Sequence, residues 1–215
     1  MKTAAIIAAR MGSTRFPGKV LADLNGKPVL QHVIERCKAS DVDEVIVAIP
    51  PEDRGSDLER CAEALCKVCS PEAADFFVLK RLTLAATQYG VDVVVRVNSD
   101  CPLMDPVMIN ELLRSAQEVP EVGYHSFWFM PEGTPAVRTH AGLPELITTD
   151  ALYAINQYGA DIMEHVTWLC HEPNPVRANA IAAPDELRHA ENTIDTPEDL
   201  ERIAARCRSR STTVQ

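Results

Sequence analysis

Short apolar runs alternate with longer segments of helical hydrophobic spacing along most of the chain. Residues 44–49 (EVIVAI) and 91–97 (VDVVVRV) are rich in β-branched side chains, which is typical of parallel strands buried on both faces. Residues 28–38 instead place their apolar side chains on one helical face. Strands are also predicted at 4–9 and 122–129, and helices at 56–68, 75–89, 105–118, 149–157, 161–170 and 196–206. The helix at 105–118 begins with Asp105 as its cap and Pro106 in its first turn.

The alternation of strands and helices predicts an α/β protein with one doubly wound, mostly parallel sheet. In such folds, ligands bind beyond the carboxyl ends of the strands. We expect one domain over residues 1–207 and a flexible tail over 208–215. Two segments are less regular: the start of 75–89 (Asp-Phe-Phe-Val-Leu) also fits a strand, and 130–147 predicts an irregular, ligand-facing insertion.

Composition and charge narrow the class of ligand. The chain has a net charge of −10, yet its first 34 residues carry five basic side chains and one acidic one. A cationic segment on an acidic protein suits a small anion, whereas nucleic acid usually requires a broad basic face. No apolar stretch is long enough to span a membrane, and the N-terminus does not resemble a signal peptide.

Cysteine usage indicates the compartment. The chain has seven cysteines, and an odd count without a secretory signal predicts reduced thiols in the cytoplasm. Cys61, Cys66 and Cys69 have a spacing that invites a metal site. No further cysteine pair or nearby histidine completes four ligands, so burial as small hydrophobes is the favoured interpretation.

Residues 8–19 (AARMGSTRFPGK) carry the most informative motif. They follow the first predicted strand and contain the pattern Arg-x-x-Ser-x-Arg-x-Pro-x-Lys, which is neither a Walker A motif nor a dinucleotide fingerprint. Glycines let backbone N–H groups approach phosphate oxygens, and arginines bind phosphate in a bidentate way. The segment therefore predicts a polyphosphate-binding loop, with a basic surface turn as the alternative.

Two aspartates are candidates for metal binding. Asp100 follows the strand at 91–97, so it belongs to the same sheet edge as the predicted loop. Asp195 directly precedes the capping box Thr-Pro-Glu-Asp that begins the last helix. Each alone would be an ordinary turn or helix-entry residue. Together they are candidate ligands for Mg²⁺ held against bound phosphates.

These segments together resemble the cytidylyltransferases that activate sugar acids, such as the 3-deoxy-manno-octulosonate and acylneuraminate enzymes. The likeness is closest to the branch associated with spore-coat polysaccharide biosynthesis. It rests on AIIAARMGSTRFPGKVLADLNGKPVLQHVIER, DCPLMDP, DIMEHVT and IDTPEDLERI, which occur in the family's order. The resemblance implies the nucleotide-diphospho-sugar transferase fold, which is Rossmann-like.

The resemblance also implies roles on the nucleotide side. The small residues Ala8 and Ala9 would let backbone groups read the cytosine. Asp100 and Asp195 would coordinate Mg²⁺. Four loop residues would bind the CTP triphosphate: Arg10, Ser13, Arg15 and Lys19.

Three residues are implied on the substrate side. Arg81 matches an arginine that follows a conserved acidic residue in the spore-coat branch. Gly142, Leu143 and Glu145 loosely match the family's Gly-Leu-x-x-Glu pattern on the sugar side. His165, in DIMEHVT, is a candidate substrate ligand or general base, although its apolar neighbours fit a structural histidine equally well.

The implied activity is transfer of CMP from CTP to a sugar acid, with release of pyrophosphate, for cell-surface polysaccharide biosynthesis. Arg10, Lys19 and Asp100 would be the catalytic residues, Mg²⁺ the cofactor, and a cytoplasmic homodimer the assembly. Other readings stay open: a glycosyltransferase using a nucleotide sugar, a transferase for another nucleotide or alcohol, or a non-catalytic nucleotide-binding homologue. The last follows from Ser99, where the family usually has glycine, and from the altered stretch 68–75.

Overall fold

A computed structural model describes residues 1–73, 75, 77–129, 137–138, 142–157, 176–184 and 192–211. Over these residues it has one large sheet, a small antiparallel hairpin and six α-helices. Strands are β1 (Thr3–Ala8), β2 (Asp23–Leu24), β3 (Lys27–Pro28), β4 (Glu44–Ala48), β5 (Lys67–Cys69), β6 (Val93–Asn98), β7 (Tyr124–Phe129), β8 (Val137–Arg138), β9 (Glu145–Thr148) and β10 (Ala178–Ala182). Helices are α1 (Val29–Lys38), α2 (Asp57–Glu63), α3 (Val78–Tyr89), α4 (Pro106–Glu118), α5 (Thr149–Asn156) and α6 (Pro197–Ser211).

The large sheet has the strand order β10-β7-β9-β6-β1-β4-β5, with β8 paired to β7. β1 lies between β4 and β6 and is parallel to both, so that Ala8 is level with Ala48 and Asn98. β9 is antiparallel to β6 and β7, and it makes the sheet mixed. The mostly parallel sheet predicted from the sequence is confirmed, and the loop after β1 lies at the same edge as the residues that follow β6.

Alternate residues of β1 supply both faces of the core. Ala5 and Ile7 join a cluster with residues of α1, α2 and α4, whereas Ala4 and Ile6 join a second cluster with residues of α3 and α5. All four side chains are fully buried. Helices on both faces of a parallel sheet explain why β1 lacks the polar alternation of a half-exposed strand. This double burial fixes the position of the loop that follows β1.

Three predicted elements differ in the structure. The helix predicted at 56–68 ends at Glu63, and β5 follows it at Lys67–Cys69. The helix predicted at 75–89 begins at Val78. The insertion predicted as irregular at 130–147 contains β8 and the start of β9. In addition, α6 continues to Ser211, past its predicted end near 206, whereas the helix predicted at 161–170 lies outside the described residues.

Two further observations concern the other sequence predictions. None of the helices in the described part of the chain is long and apolar enough to cross a membrane. The cysteines described there are free thiols, and no group of three or more His, Cys, Asp or Glu side chains in the same residues is arranged to hold a metal. Cys69 is buried, and Cys61 and Cys66 are half-buried.

Candidate active site

The predicted phosphate loop is folded back on itself directly after β1. Ala9 is fully buried and continues the strand by donating its N–H to Ala48 O at 3.1 Å. The Met11 carbonyl accepts hydrogen bonds from Ser13 N at 2.9 Å and from Gly18 N at 3.0 Å. Gly18 has a φ of +72°, a conformation in which a side chain would be strained. These bonds close the loop and return the chain to the sheet edge at Lys19.

An acidic residue of the neighbouring segment anchors the loop. Asp53, in the 3-10 turn Pro51–Asp53 after β4, is buried and accepts a hydrogen bond from Met11 N at 2.9 Å. Removing this acceptor would leave a partly buried N–H without its partner, which is costly. Asp53 is not among the site residues predicted from the sequence. Its position just past the predicted strand 44–49, at the ligand edge of the sheet, was the signal available.

Lys19 is the centre of the site. Its Nζ lies 2.6 Å from Asp100 Oδ2, 3.0 Å from Asp195 Oδ1 and 2.8 Å from the carbonyl oxygen of Ile194. Burial acts to lower the pKa of Lys19, but the Asp100 carboxylate, together with Asp195, outweighs burial, so the pKa lies above its ordinary value. Lys19 is therefore a protonated ammonium held between the two carboxylates that the sequence pairs as metal ligands.

Asp195 also binds a second cation of the loop and is fixed by the start of α6. Its Oδ2 lies 3.0 Å from the guanidinium of Arg15. Its backbone N–H donates to Asp199 Oδ2 at 3.0 Å. The same Asp199 oxygen accepts from Thr196 N at 2.9 Å, and Thr196 Oγ1 accepts from Asp199 N at 3.3 Å. This reciprocal pair confirms the predicted capping box and orients the backbone of Asp195 towards the site.

Asp100 has two further hydrogen-bond partners besides Lys19. The Cys101 thiol donates to Asp100 Oδ1 at 3.4 Å, and Ile194 N donates to the Asp100 carbonyl at 3.0 Å. Burial raises the pKa of Cys101 well above its ordinary value, so this group is a neutral donor. Ser99, which stands in the place of a glycine, is buried and has no positive φ. The backbone there does not require glycine, and Asp100 still reaches Lys19.

Arg10 lies in a separate ion pair. Its Nη1 is 2.7 Å from Asp75 Oδ2, and a Cβ on Gly12 would come within 3.4 Å of the same oxygen. Arg81 is 1% exposed and donates to the Asp75 carbonyl at 3.1 Å. Burial lowers the pKa of Arg81, while the Asp75 carboxylate acts in the opposite direction. Arg81 thus supports the Arg10–Asp75 pair from inside the protein, and its contact with substrate stays a prediction.

Glu145 lies at the start of β9, opposite Arg96 of the neighbouring strand β6. Its Oε2 is 2.6 Å from Arg96 Nη1, and its Oε1 accepts from Tyr124 Oη at 2.8 Å. Glu145 is 7% exposed, so these contacts define a buried polar cluster between β6, β7 and β9. Its predicted sugar-binding role stays a prediction, and His165 lies outside the described residues.

The structure thus gathers five of the predicted site residues into two groups at one sheet edge. The first contains Lys19 bound to both candidate metal ligands, with Arg15 beside it. The second contains Arg10 with Asp75, the first residue of the helix predicted at 75–89. Ala8 ends β1 and is half-buried, as is Ser13 in the loop, and their roles in nucleotide binding stay predictions.

The donor set of the first group fits a magnesium ion. Two carboxylates, from Asp100 and Asp195, already share one cationic partner. Magnesium in phosphoryl-transfer sites is commonly bound by one or two carboxylates together with substrate phosphates. The chemistry and number of these oxygens therefore match what such an ion requires from the protein.

Comparison with known proteins identifies relatives by sequence. The family model described as Cytidylyltransferase matches residues 4–172. A 3-deoxy-manno-octulosonate cytidylyltransferase of Geobacter metallireducens is 45% identical over 118 residues, which are 53% of this chain and 44% of that protein. An 8-amino-3,8-dideoxy-manno-octulosonate cytidylyltransferase of Shewanella sediminis is 38% identical over 116 residues, or 53% and 46% of the two chains. The chain thus matches less than half the length of these two relatives.

Solved structures share the whole architecture. A cytidylyltransferase from Leptospira borgpetersenii superimposes with a TM-score of 0.79 at 25% identity, covering 95% of this chain and 86% of that one. A CMP:2-keto-3-deoxy-manno-octonic acid synthetase complexed with CTP gives a TM-score of 0.75 at 22% identity, covering 98% and 100%, and supports the fold alone. With the family model matching most of its length, the chain belongs to the cytidylyltransferase family.

Proposed function

We propose that this protein transfers CMP from CTP to a sugar acid and releases pyrophosphate, with Mg²⁺ as cofactor. The observation that carries the proposal is the group formed by Lys19, Asp100 and Asp195 at the carboxyl ends of the parallel strands. Family membership and the names of the sequence relatives support CTP and a sugar acid as substrates. The geometry adds a loop with cations for the triphosphate and two carboxylates for the metal.

The proposed reaction divides the work among residues of the site. A sugar hydroxyl attacks the α-phosphorus of CTP, the bond to the β-phosphate oxygen breaks, and the hydroxyl proton passes to solvent or to a base. Arg15 and Lys19 would bind the triphosphate and stabilise the charge that develops on the leaving pyrophosphate. When bound, Mg²⁺ would supply charge neutralisation and alignment of the phosphates. Asp100 and Asp195 would hold it.

The second group would contribute through Arg10. Its Nη1 donates to Asp75 Oδ2 at 2.7 Å, and a guanidinium can bind a phosphate group in a bidentate way. Asp75 would therefore orient the guanidinium of Arg10 at the loop. The N–H groups of the loop itself would add contacts to the phosphates, as in other anion-binding loops.

The identity of the acceptor sugar is proposed from the sequence relatives and the resemblance. The names of the sequence relatives favour an eight-carbon 3-deoxy sugar acid, and an acylneuraminate-like acid is the related possibility from the resemblance. Both are 2-keto sugar acids, and their anomeric hydroxyl would be the nucleophile. A role in cell-surface polysaccharide biosynthesis and the cytoplasmic homodimer stay predictions.

The test combines nucleotide selectivity with a matched pair of variants. The purified protein is incubated with CTP, UTP, ATP or GTP, with and without Mg²⁺, and with each of the two sugar acids, and pyrophosphate release is measured. We expect release with CTP, Mg²⁺ and one sugar acid. Asp100→Asn should lower the rate by about a hundred-fold or more because it removes a charged ligand.

Asp105→Asn is the matched control. Asp105 is exposed and caps α4 by accepting from Val107 N at 3.0 Å, and asparagine caps a helix equally well. This variant should keep the wild-type rate. Full activity of Asp100→Asn would refute the metal assignment. Binding of a nucleoside-diphosphate sugar without any pyrophosphate release would refute nucleotidyl transfer and favour a glycosyltransferase.

A further inference from the structure

Three basic side chains of the phosphate loop are ion-paired with carboxylates of the protein. Arg10 lies against Asp75 and Arg15 against Asp195, while Lys19 bridges Asp100 and Asp195. The three pairs differ in burial: the Lys19 side chain is 12% exposed, whereas those of Arg10 and Arg15 are 37% and 68% exposed. Lys19 is the most buried of the three cations. Moving its ammonium away from the carboxylates would therefore change the electrostatic potential of the site most.

The surroundings of Lys19 are those of a bound cation. Three oxygen atoms, two from carboxylates and one from the Ile194 carbonyl, lie within 3.0 Å of Nζ. Without a positive charge between them, the partly buried carboxylates of Asp100 and Asp195 would repel each other. A divalent ion bound by both carboxylates would need the same oxygens and the same space. The ammonium and such an ion are therefore mutually exclusive occupants.

We infer that Lys19 is an internal substitute for the divalent cation, holding Asp100 and Asp195 together until nucleotide binding draws its ammonium onto the triphosphate. This inference rests on the proposed function. It assigns Lys19 a positioning role in the free protein in addition to its proposed role on the phosphates. With Lys19 in place, the free protein binds a divalent ion weakly. When a polyphosphate attracts Lys19, the ammonium leaves the two carboxylates, and a divalent ion can bind them. Nucleotide and metal would therefore bind with positive coupling.

The test measures metal binding without nucleotide. Mn²⁺, a paramagnetic probe that takes the same oxygen ligands, is titrated into wild-type protein, Lys19→Met and Lys19→Gln, and free Mn²⁺ is followed by electron paramagnetic resonance. Both variants remove the charge and keep much of the side-chain length. We expect each to bind Mn²⁺ at least about ten-fold more tightly than wild type, because a unit charge a few ångströms from the ion has been removed.

Two further variants define the site that gains affinity. Lys27→Met removes a lysine that is paired with the exposed Glu35 on the rim of α1, and it should leave Mn²⁺ affinity at the wild-type value. Adding Asp100→Asn to Lys19→Met should abolish the gain. If Lys19→Met is unstable without metal, Mn²⁺ should raise its Tm by more than it raises that of wild type.

Several outcomes would overturn the inference. Lys19 variants that bind Mn²⁺ no more tightly than wild type, or a gain that survives Asp100→Asn, would show that Lys19 does not occupy the metal position. An unstable variant whose Tm does not respond to Mn²⁺ would show the same. None of these readouts uses CTP or a sugar acid. A failure here therefore differs from a failure of the proposed reaction, in which pyrophosphate release itself would be missing.

Discussion

Two ionic clusters of this protein differ in where their carboxylates lie. Asp100 and Asp195 bind Lys19 at the ligand edge of the sheet. Glu145 instead contacts Arg96 and Tyr124 on the two neighbouring strands. The position of Asp100 in the first cluster could be anticipated from the sequence, because the carboxyl ends of parallel strands meet at one edge. Asp195 could be proposed only as its partner, because it precedes a helix and directly follows none of the described strands. The second cluster depends on the antiparallel register that sets Arg96 opposite Glu145, which no local pattern encodes.

Glu145 offers a test at the level of one residue. We expect Glu145→Ala to lower the free energy of unfolding by about 3 kcal/mol, because it leaves the guanidinium of Arg96 mostly buried and without this partner. Tyr124→Phe removes the other hydrogen bond without touching either charge, and it should cost about 1 kcal/mol. Urea denaturation of the two variants and wild type measures both effects.

The same variants separate a structural role of Glu145 from sugar binding. Tyr124→Phe keeps the carboxylate and should keep the KM for the sugar acid. A Glu145→Gln variant that folds with near wild-type stability but raises the KM for the sugar acid strongly, with the KM for CTP unchanged, would support the substrate-binding role predicted from the sequence. Equal KM values in Glu145→Gln and wild type would contradict that role and leave the ionic cluster as its explanation.

On the scale of elements, local sequence patterns predicted best the helices, whose backbone hydrogen bonds lie within the helix, and the strands with a long apolar run. The spacing of apolar residues located α1, and Asp105 followed by Pro106 located the start of α4. β5 was missed because it has three residues and forms by pairing with β4 across the sheet edge. Leu65 and Cys66, which continue the helical spacing past α2, instead pack against the core from the turn before β5.

The start of α6 connects an element to the chemistry. Asp199 accepts hydrogen bonds from Asp195 N and Thr196 N, and its ion pair with Arg202, which outweighs the opposing effect of burial, lowers its pKa to about 2. We expect Asp199→Ala to lower the free energy of unfolding by about 1 kcal/mol, as for other lost helix caps. It should also weaken Mg²⁺-dependent CTP binding, because the backbone of Asp195 loses an acceptor. Calorimetric titration with Mg²⁺ and CTP measures this effect.

Glu198→Ala is the control for that prediction. Glu198 is exposed and lies in the same first turn of α6, so the substitution removes the same charge from the same helix end. It should leave CTP affinity near the wild-type value. Equal losses of affinity in Asp199→Ala and Glu198→Ala would indicate a general electrostatic effect of the helix end and contradict positioning of Asp195 by the capping box.

On the scale of the whole molecule, the sheet links the site to a buried polar network on its far side. β1 and β6 carry the site, and β9 and β7 continue the sheet to β10. Between β7, β10 and α4, His125 Nδ1 lies 2.8 Å from Ser115 Oγ, and Asn179 Nδ2 donates to the same hydroxyl at 2.8 Å. The order of these strands, and hence this network, follows from contacts between distant parts of the chain that hydrophobic spacing does not specify.

His125 makes the stability of the molecule depend on pH. Its side chain is fully buried and its Nε2 lies 3.2 Å from the Val122 carbonyl. Burial lowers its pKa, and the carbonyl only partly opposes this. In the unfolded chain a histidine has a pKa of about 6.5, so the unfolded chain takes up this proton at a higher pH than the folded protein does. The stabilisation is complete above that pH and is lost as the pH falls through it towards the folded pKa.

We expect the free energy of unfolding to fall between about pH 7.5 and pH 5.5 by up to about 1.4 kcal/mol per pH unit from this group. Urea denaturation across the range should show a shallower slope for His125→Gln, because the variant has no proton to take up at this position. His32→Gln is the control, since His32 is half-buried and contacts the Leu24 carbonyl from α1. Equal slopes for His125→Gln and wild type would show that His125 titrates alike in both states. The pH dependence would then have to come from other titratable groups, among them the remaining histidines of the chain.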